Sequence, residues 1–255
     1  MSRFSLRLTA RYLLHGAATL VVGSGCSDVS LDWPATEPTR GVIVMIPGVE
    51  GGAWQLAEAR AGLIKGGVSD HLMAIDWGVR PFGSLVNLSD LEANQRRAAI
   101  IADRITREHR ENPSRPIRLI GYSGGGGLAL LVASALPEDV RLEQIILFAA
   151  AISPTYDLTR ALQRARGGIV NFYSAQDRVV LGLGTRTFGT IDRSKCDAAG
   201  QVGFQTPDGR IRERPGLIQI AWTPAWRRLG HDGGHVGWLA RNWACEVLAP
   251  MLRTP

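Results

Sequence analysis

Apolar residues in this 255-residue chain gather into short, largely apolar runs at 42–46, 71–75, 117–121, 145–150, 169–173 and 217–222. A strand covered on one face alternates apolar with polar residues; a strand buried on both faces reads as a continuous apolar run. Between the runs lie longer stretches of helical composition or spacing. Residues 53–65 form one, ending at Gly66-Gly67. Residues 90–110 form the clearest, with Ser89 as the expected cap, Glu92 completing a capping box and Pro113 as the stop. Residues 124–136 are rich in small side chains and end before Pro137. Residues 234–249 set Val236, Leu239, Trp243 and Val247 on one expected helix face. Strand and helix alternating in this way predict an α/β fold, a mostly parallel sheet flanked by helices on both faces.

Two stretches stand outside the alternation. Residues 182–216 are rich in Gly and charge, have no clear period, and are long for a structureless loop. They are expected to hold short helices or to rim a pocket. At the other end, residues 1–25 run from a positive start (Arg3, Arg7, Arg11) through a short apolar stretch to Gly23-Ser24-Gly25-Cys26. That is the order of a secretory signal peptide, and the apolar stretch falls short of the ~20 residues of a membrane span. Cys26 behind small residues resembles a bacterial lipoprotein signal, although Gly23 stands where such signals carry a large aliphatic residue. The resemblance implies an exported chain anchored to a membrane by a lipid on Cys26. Residues 26–40, with Pro34 and Pro38, read as a linker, which leaves 41–255 as one domain. Export would permit a disulfide between Cys196 and Cys245; two buried free thiols are the other reading.

Composition changes this picture little. An apolar fraction of 45% and a charged fraction of 20% are ordinary for a globular domain. The net charge of +6 is carried almost wholly by arginine, Lys65 and Lys195 being the only lysines. The charge is scattered, and its densest stretches, 104–118 and 210–214, also contain Glu108, Glu111 and Glu213. No basic stripe of the kind that tracks nucleic acid is present, so no such partner is expected. No cluster has metal-ligand spacing, and neither a metal nor a cofactor is implied.

Candidate chemistry centres on Gly121-Tyr122-Ser123-Gly124-Gly125, a G-x-S-x-G string between an expected buried strand and an expected helix. A serine on so sharp a turn has its hydroxyl lifted above the sheet edge, and small flanking residues let strand and helix approach. The Gly124 N–H, at the helix start, is placed to stabilise an oxyanion. Of the five histidines, His15 lies in the signal segment, His71 opens a strand and His109 ends a surface helix. His231 and His235 remain, both after the last strand; His235 is the preferred base because it abuts the last helix. Asp177, at the end of the fifth strand, is the preferred acid to orient it. Asp157 is its rival, and Asp232 is too local to a histidine.

The order Ser123, Asp177, His235 with this elbow resembles the α/β-hydrolase superfamily over about residues 41–252. The resemblance implies an α/β-hydrolase fold, here without a large cap domain, because few residues separate the fourth and fifth strands. It also gives meaning to Pro47-Gly48-Val49-Glu50, where Gly48 matches a family glycine and the Val49 N–H becomes the second oxyanion donor beside Gly124. Glu50 is expected to point outward or to meet a polar substrate. Trp77 is expected to line the pocket or to pack the loop. The implied activity is a serine hydrolase cleaving a carboxylic ester, on a small-molecule or lipid substrate, through an acyl-enzyme on Ser123. An acyltransferase would use the same residues, and a non-catalytic binding module would share the fold. The loose fingerprint Gly124-x-Gly126-x-x-Ala129 also suits a dinucleotide loop, but it follows the third strand rather than the first.

Overall fold

The computed structural model describes residues 29, 33, 40–80 and 82–253. The expected signal segment, with Cys26, lies outside the described residues. Six strands form one parallel sheet: β1 (Val42–Ile46), β2 (His71–Ala74), β3 (Ile117–Tyr122), β4 (Gln144–Phe148), β5 (Ile169–Tyr173) and β6 (Leu217–Ala221), in the spatial order β2-β1-β3-β4-β5-β6. The central strands are buried on both faces, which is why their sequences are near-continuous apolar runs, Arg118 of β3 being a buried exception.

Alternate residues feed two cores. Val42, Val44 and Ile46 of β1 join Leu119, Ile145 and Leu147 on one side, under helices α3 (Leu91–Glu111) and α4 (Gly124–Ala135). Ile43 and Met45 join Ile120, Ile146 and Phe172 on the other, under α1 (Ala57–Lys65) and the helical residues 241–252. In α4 every residue from Gly124 to Ala133 is buried, so the helix is apolar all round rather than striped. Val29 and Trp33, in the stretch expected to be a linker, pack half-buried against the first core, and the Arg104 guanidinium lies 4.8 Å from the Trp33 ring centre.

Several expected boundaries move for local reasons. Ser89 does not cap the long helix. It is the last residue of a short helix, α2 (Ser84–Ser89), and its hydroxyl donates to the Leu85 carbonyl at 2.7 Å. Asp90 is the cap, accepting from the Ala93 N–H at 2.9 Å, while Glu92 pairs with Arg96 instead of closing a capping box. β4 stops at Phe148 because Ala149 takes a φ of 51°. The single helix expected at 234–249 is two pieces, a tight turn at His235–Leu239 and the helical residues 241–252, divided by extended backbone at Ala240. Val236, expected on the inner face, is 71% exposed.

Residues 182–216 hold short helical turns at Thr185–Phe188 and Ala199–Val202 and are built into the domain. Ile191, Ala199 and Phe204 are fully buried. The N–H groups of Ile191 and Ala199 donate to the carbonyls of Ala151 and Ile152 at 3.0 and 2.8 Å. Cys196 and Cys245 are free thiols, both half-buried. Among the described residues no helix is long and apolar enough to cross a membrane.

An aromatic cluster joins β5 to the C-terminal segment. Phe172 lies 5.3 Å from Trp243 and 6.0 Å from Trp238, ring centre to ring centre, and 6.1 Å from Trp226. Phe172→Ala should therefore cost about 3–5 kcal/mol of unfolding free energy, read from urea titration. A loss under about 1 kcal/mol would show that the indoles collapse into the space.

Candidate active site

Strand β3 passes into α4 through one residue. Ser123 has φ 54° and ψ −123°, a conformation that costs a residue with a Cβ roughly 1–3 kcal/mol. Three hydrogen bonds hold it there. Its N–H donates to the Phe148 carbonyl at 3.1 Å, and its carbonyl accepts from Gly126 and Ala151, each at 2.9 Å. The surrounding glycines answer to crowding. A Cβ on Gly121 would stand 2.6 Å from the Gly125 carbonyl oxygen, and one on Gly125 would stand 2.2 Å from that of Pro47.

The loops after β5 and β6 bring Asp177 and His235 to this turn. Ser123 Oγ is 2.9 Å from His235 Nε2, and His235 Nδ1 is 2.5 Å from Asp177 Oδ2. Ser123 and Asp177 are buried, at 5% and 2% exposed. The second carboxylate oxygen of Asp177 accepts from the Leu181 N–H at 3.3 Å, which fixes its plane. A carboxylate accepts only, so the neutral imidazole carries its proton on Nδ1 and presents a lone pair at Nε2 to the serine hydroxyl. The Tyr122 ring packs at 5.1 Å from the His235 ring, and its hydroxyl donates to the His235 carbonyl at 3.3 Å. Burial raises the pKa of that phenol above its ordinary value, so it stays a neutral donor.

Gly48 lies over the serine: a Cβ there would be 3.3 Å from Ser123 Cβ. A Cβ on Gly124 would stand 3.3 Å from the Val49 nitrogen and 2.4 Å from its Cγ1. The Val49 and Gly124 amides are thus close neighbours beside Ser123, and the Gly124 N–H belongs to the first turn of α4, whose amides have no partner within the helix. Trp77 is fully buried and packs the loop; its Nε1–H donates to the Pro47 carbonyl at 2.9 Å. Glu50 points outward, exposed, at the rim of a cleft of about 980 Å³ beside the serine, lined also by Trp54, Tyr122, Val180, His235 and Val236. Asn87, which no sequence motif marks, is buried beneath this loop and donates to the Val49 carbonyl at 2.8 Å.

The rival residues have other employment. Asp157 closes a local turn just ahead of α5 (Thr159–Gln163), accepting from the Thr159 N–H and hydroxyl at 2.9 and 2.6 Å. Asp232 accepts from the Gly234 N–H at 2.9 Å. His231 is fully buried, stacked on Trp226 and edge-on to Trp238 and Trp243. Its Nδ1 accepts from the Gly233 N–H at 3.2 Å, which leaves the proton on Nε2, and that atom makes no hydrogen bond among the described residues. Among the described residues no three His, Cys, Asp or Glu side chains gather as metal ligands.

The chain has the α/β-hydrolase fold. Lipase B of Aspergillus fumigatus matches it with a TM-score of 0.50 at 13% identity, over 86% of this chain and 55% of that one. A CIB-like hydrolase from Thermoplasma acidophilum matches at 0.47 and 15% identity, over 85% and 88% of the two chains, and a mature lipase from Bacillus licheniformis at 0.46 and 13%, over 88% and 96%. No protein-family model and no curated protein matches the sequence.

Burial pushes the His231 imidazole down to about 4, against a smaller upward pull from Asp232. The unfolded chain takes up this proton below about pH 6.5, while the folded chain holds it off until about pH 4. The associated stability is complete above pH 6.5 and is lost as the pH falls toward 4. Between pH 7 and 4.5 this group should remove roughly 2–3 kcal/mol of unfolding free energy, and a His231→Phe chain should lose correspondingly less. Equal losses in the two chains, by urea titration, would contradict the assignment.

Proposed function

We propose that the protein is a serine hydrolase acting on carboxylic esters. The observation that carries this reading is the pair of hydrogen bonds, 2.9 and 2.5 Å, that links the Ser123 hydroxyl through His235 to Asp177 at a strained strand-to-helix turn. In the reaction Ser123 Oγ attacks the ester carbonyl carbon while His235 Nε2 takes its proton. The resulting oxyanion is held by the N–H groups of Val49 and Gly124. Collapse expels the alcohol, protonated by His235, and leaves an acyl-enzyme. Water, deprotonated by His235, attacks the acyl carbon; as the bond to Ser123 Oγ breaks, His235 returns the proton to that oxygen and the carboxylic acid leaves. Asp177 keeps Nδ1 protonated and stabilises the imidazolium. The cleft sets the apolar side chains Trp54, Val180 and Val236 beside the charged Glu50, Glu58, Asp232 and Arg241, and the apolar ones offer contact for an acyl or alkyl chain. The match to a lipase in fold agrees with an ester substrate.

Turnover of a series of p-nitrophenyl acyl esters tests the reading. Ser123→Ala and His235→Ala should each lower kcat by about 10³-fold or more, and the double variant should be barely worse than either, because the residues act as a unit. Asp177→Asn should lose about 10³–10⁴-fold by stabilising the wrong tautomer. Ester turnover that survives Ser123→Ala would rule the serine mechanism out.

The positive, apolar, small-residue order of residues 1–26 supports export, with Cys26 as the lipid-bearing residue. Expression in bacteria fed a clickable fatty acid should give label on the mature chain that Cys26→Ser abolishes; an unlabelled mature chain would end the lipid-anchor reading.

A further inference from the structure

The loop that carries Val49 is gripped by the segment that follows β2. The Pro47 carbonyl accepts from the Trp77 indole at 2.9 Å, the Val49 carbonyl from Asn87 Nδ2 at 2.8 Å, and the Gly51 carbonyl from the Trp77 backbone N–H at 2.8 Å. Within the loop, the Gly48 carbonyl accepts from the Gly51 N–H at 2.8 Å. In a trans peptide the N–H points opposite to the C=O. Holding the Gly48 carbonyl toward Gly51 therefore turns the Val49 N–H the other way, and the bond from Asn87 fixes the next peptide and with it the pitch of the turn.

Asn87 is built for this task. It is fully buried. Its Nδ2 also donates to the Val79 carbonyl at 3.0 Å, and its Oδ1 accepts from the Val79 N–H at 2.8 Å. Two donors and an acceptor on one short planar group are what an amide offers and a carboxylate or hydroxyl does not. Gly78, at φ 79°, gives it room: a Cβ there would stand 2.4 Å from Asn87 Oδ1. Asn87 is held from behind through its own carbonyl, which accepts from Asn94 Nδ2 at 2.7 Å; Asn94 Oδ1 in turn accepts from the buried Arg97 at 2.7 Å. This polar network reaches no substrate, and packing alone would be served by a leucine in the place of Asn87 without the desolvation of an amide.

We propose that Asn87 is a positioning residue for the oxyanion hole, acting with Trp77 as a clamp that sets the direction of the Val49 N–H. The proposal rests on Ser123 being the nucleophile. Asn87→Asp keeps the shape but sets a carboxylate oxygen against the Val49 and Val79 carbonyls. It should lower kcat by about 10- to 100-fold with KM within about twofold, since the donor is misplaced and binding is not. Affinity for a trifluoromethyl ketone, which adds to the serine to form an oxyanion, should fall by the same factor. A control of matched loss in Tm, Ile105→Ala in the core beneath α3, should leave both kcat and ketone affinity within about twofold, which separates positioning from general destabilisation. Trp77→Phe, which removes the bond to Pro47 together with part of the buried indole, should show the same kcat-only pattern more weakly, again read against the Ile105→Ala control, and serves as the test if Asn87→Asp does not fold.

A folded Asn87→Asp enzyme with wild-type kcat and ketone affinity would overturn the proposal. So would an unchanged Trp77→Phe enzyme where Asn87→Asp fails to fold. If the wild-type protein neither turns over esters nor forms the ketone adduct, the serine-hydrolase reading has failed and the clamp falls with it, an outcome distinct from an active wild type with indifferent variants.

Discussion

The candidate site of this molecule depends on the backbone of Ser123. The residue occupies a conformation that L-amino acids avoid, and nothing in its own side chain favours it. The surroundings impose it. The Phe148 carbonyl at the end of β4 takes its N–H, and Gly126 and Ala151 donate to its carbonyl. Those partners come from the next strand, the following loop and the helix it starts, so the strain is sustained by the sheet as a whole. The glycines at 121 and 125 are the other half of the constraint, since a single methyl at either would collide with main chain.

Once the serine is raised above the sheet edge, the parallel topology does the rest. Every strand ends at that same edge, and the loops that leave β1, β5 and β6 supply Val49, Asp177 and His235. The last of these loops runs through a tight helical turn at Pro224–Leu229, and an aromatic cluster anchors it. His231, Trp226, Trp238 and Trp243 pack into one block against Phe172 of β5. From that block the loop is pinned at Gly233, whose N–H donates to His231 and whose carbonyl accepts from the Ser174 hydroxyl at 2.6 Å. His231 belongs to the packing that supports the loop of His235.

The inner strands β1, β3, β4 and β5 were legible in the sequence because a strand buried on both faces has a compositional signature that survives without any knowledge of its neighbours. The less buried edge strands β2 and β6 were legible because their runs are largely apolar too. The serine was legible as a candidate because its motif is local, and the structure places it on the sharp strand-to-helix turn expected of that motif. His235 and Asp177 were reached by their position after particular strands, and their meeting is a property of the sheet. What escaped was set by tertiary contact. Ala240 breaks a helix that its side chain favours, so of the period through Val236, Leu239, Trp243 and Val247 the last three pack against the second core and Val236 turns out to solvent. Ser89 and Asp90 are both good caps, and only the presence of α2 decides between them. Asn87 carries no motif at all, because its meaning lies in a carbonyl 38 residues away.

The central claim is that Ser123 is an activated nucleophile beside an oxyanion hole. It is tested most directly by exposing the folded, purified protein to a fluorophosphonate and identifying the modified peptide by mass spectrometry. The account predicts a single stoichiometric phosphonate on Ser123, formed at a rate that falls sharply in the His235→Ala chain. Well-folded protein that stays unlabelled, or that is labelled elsewhere, would contradict it.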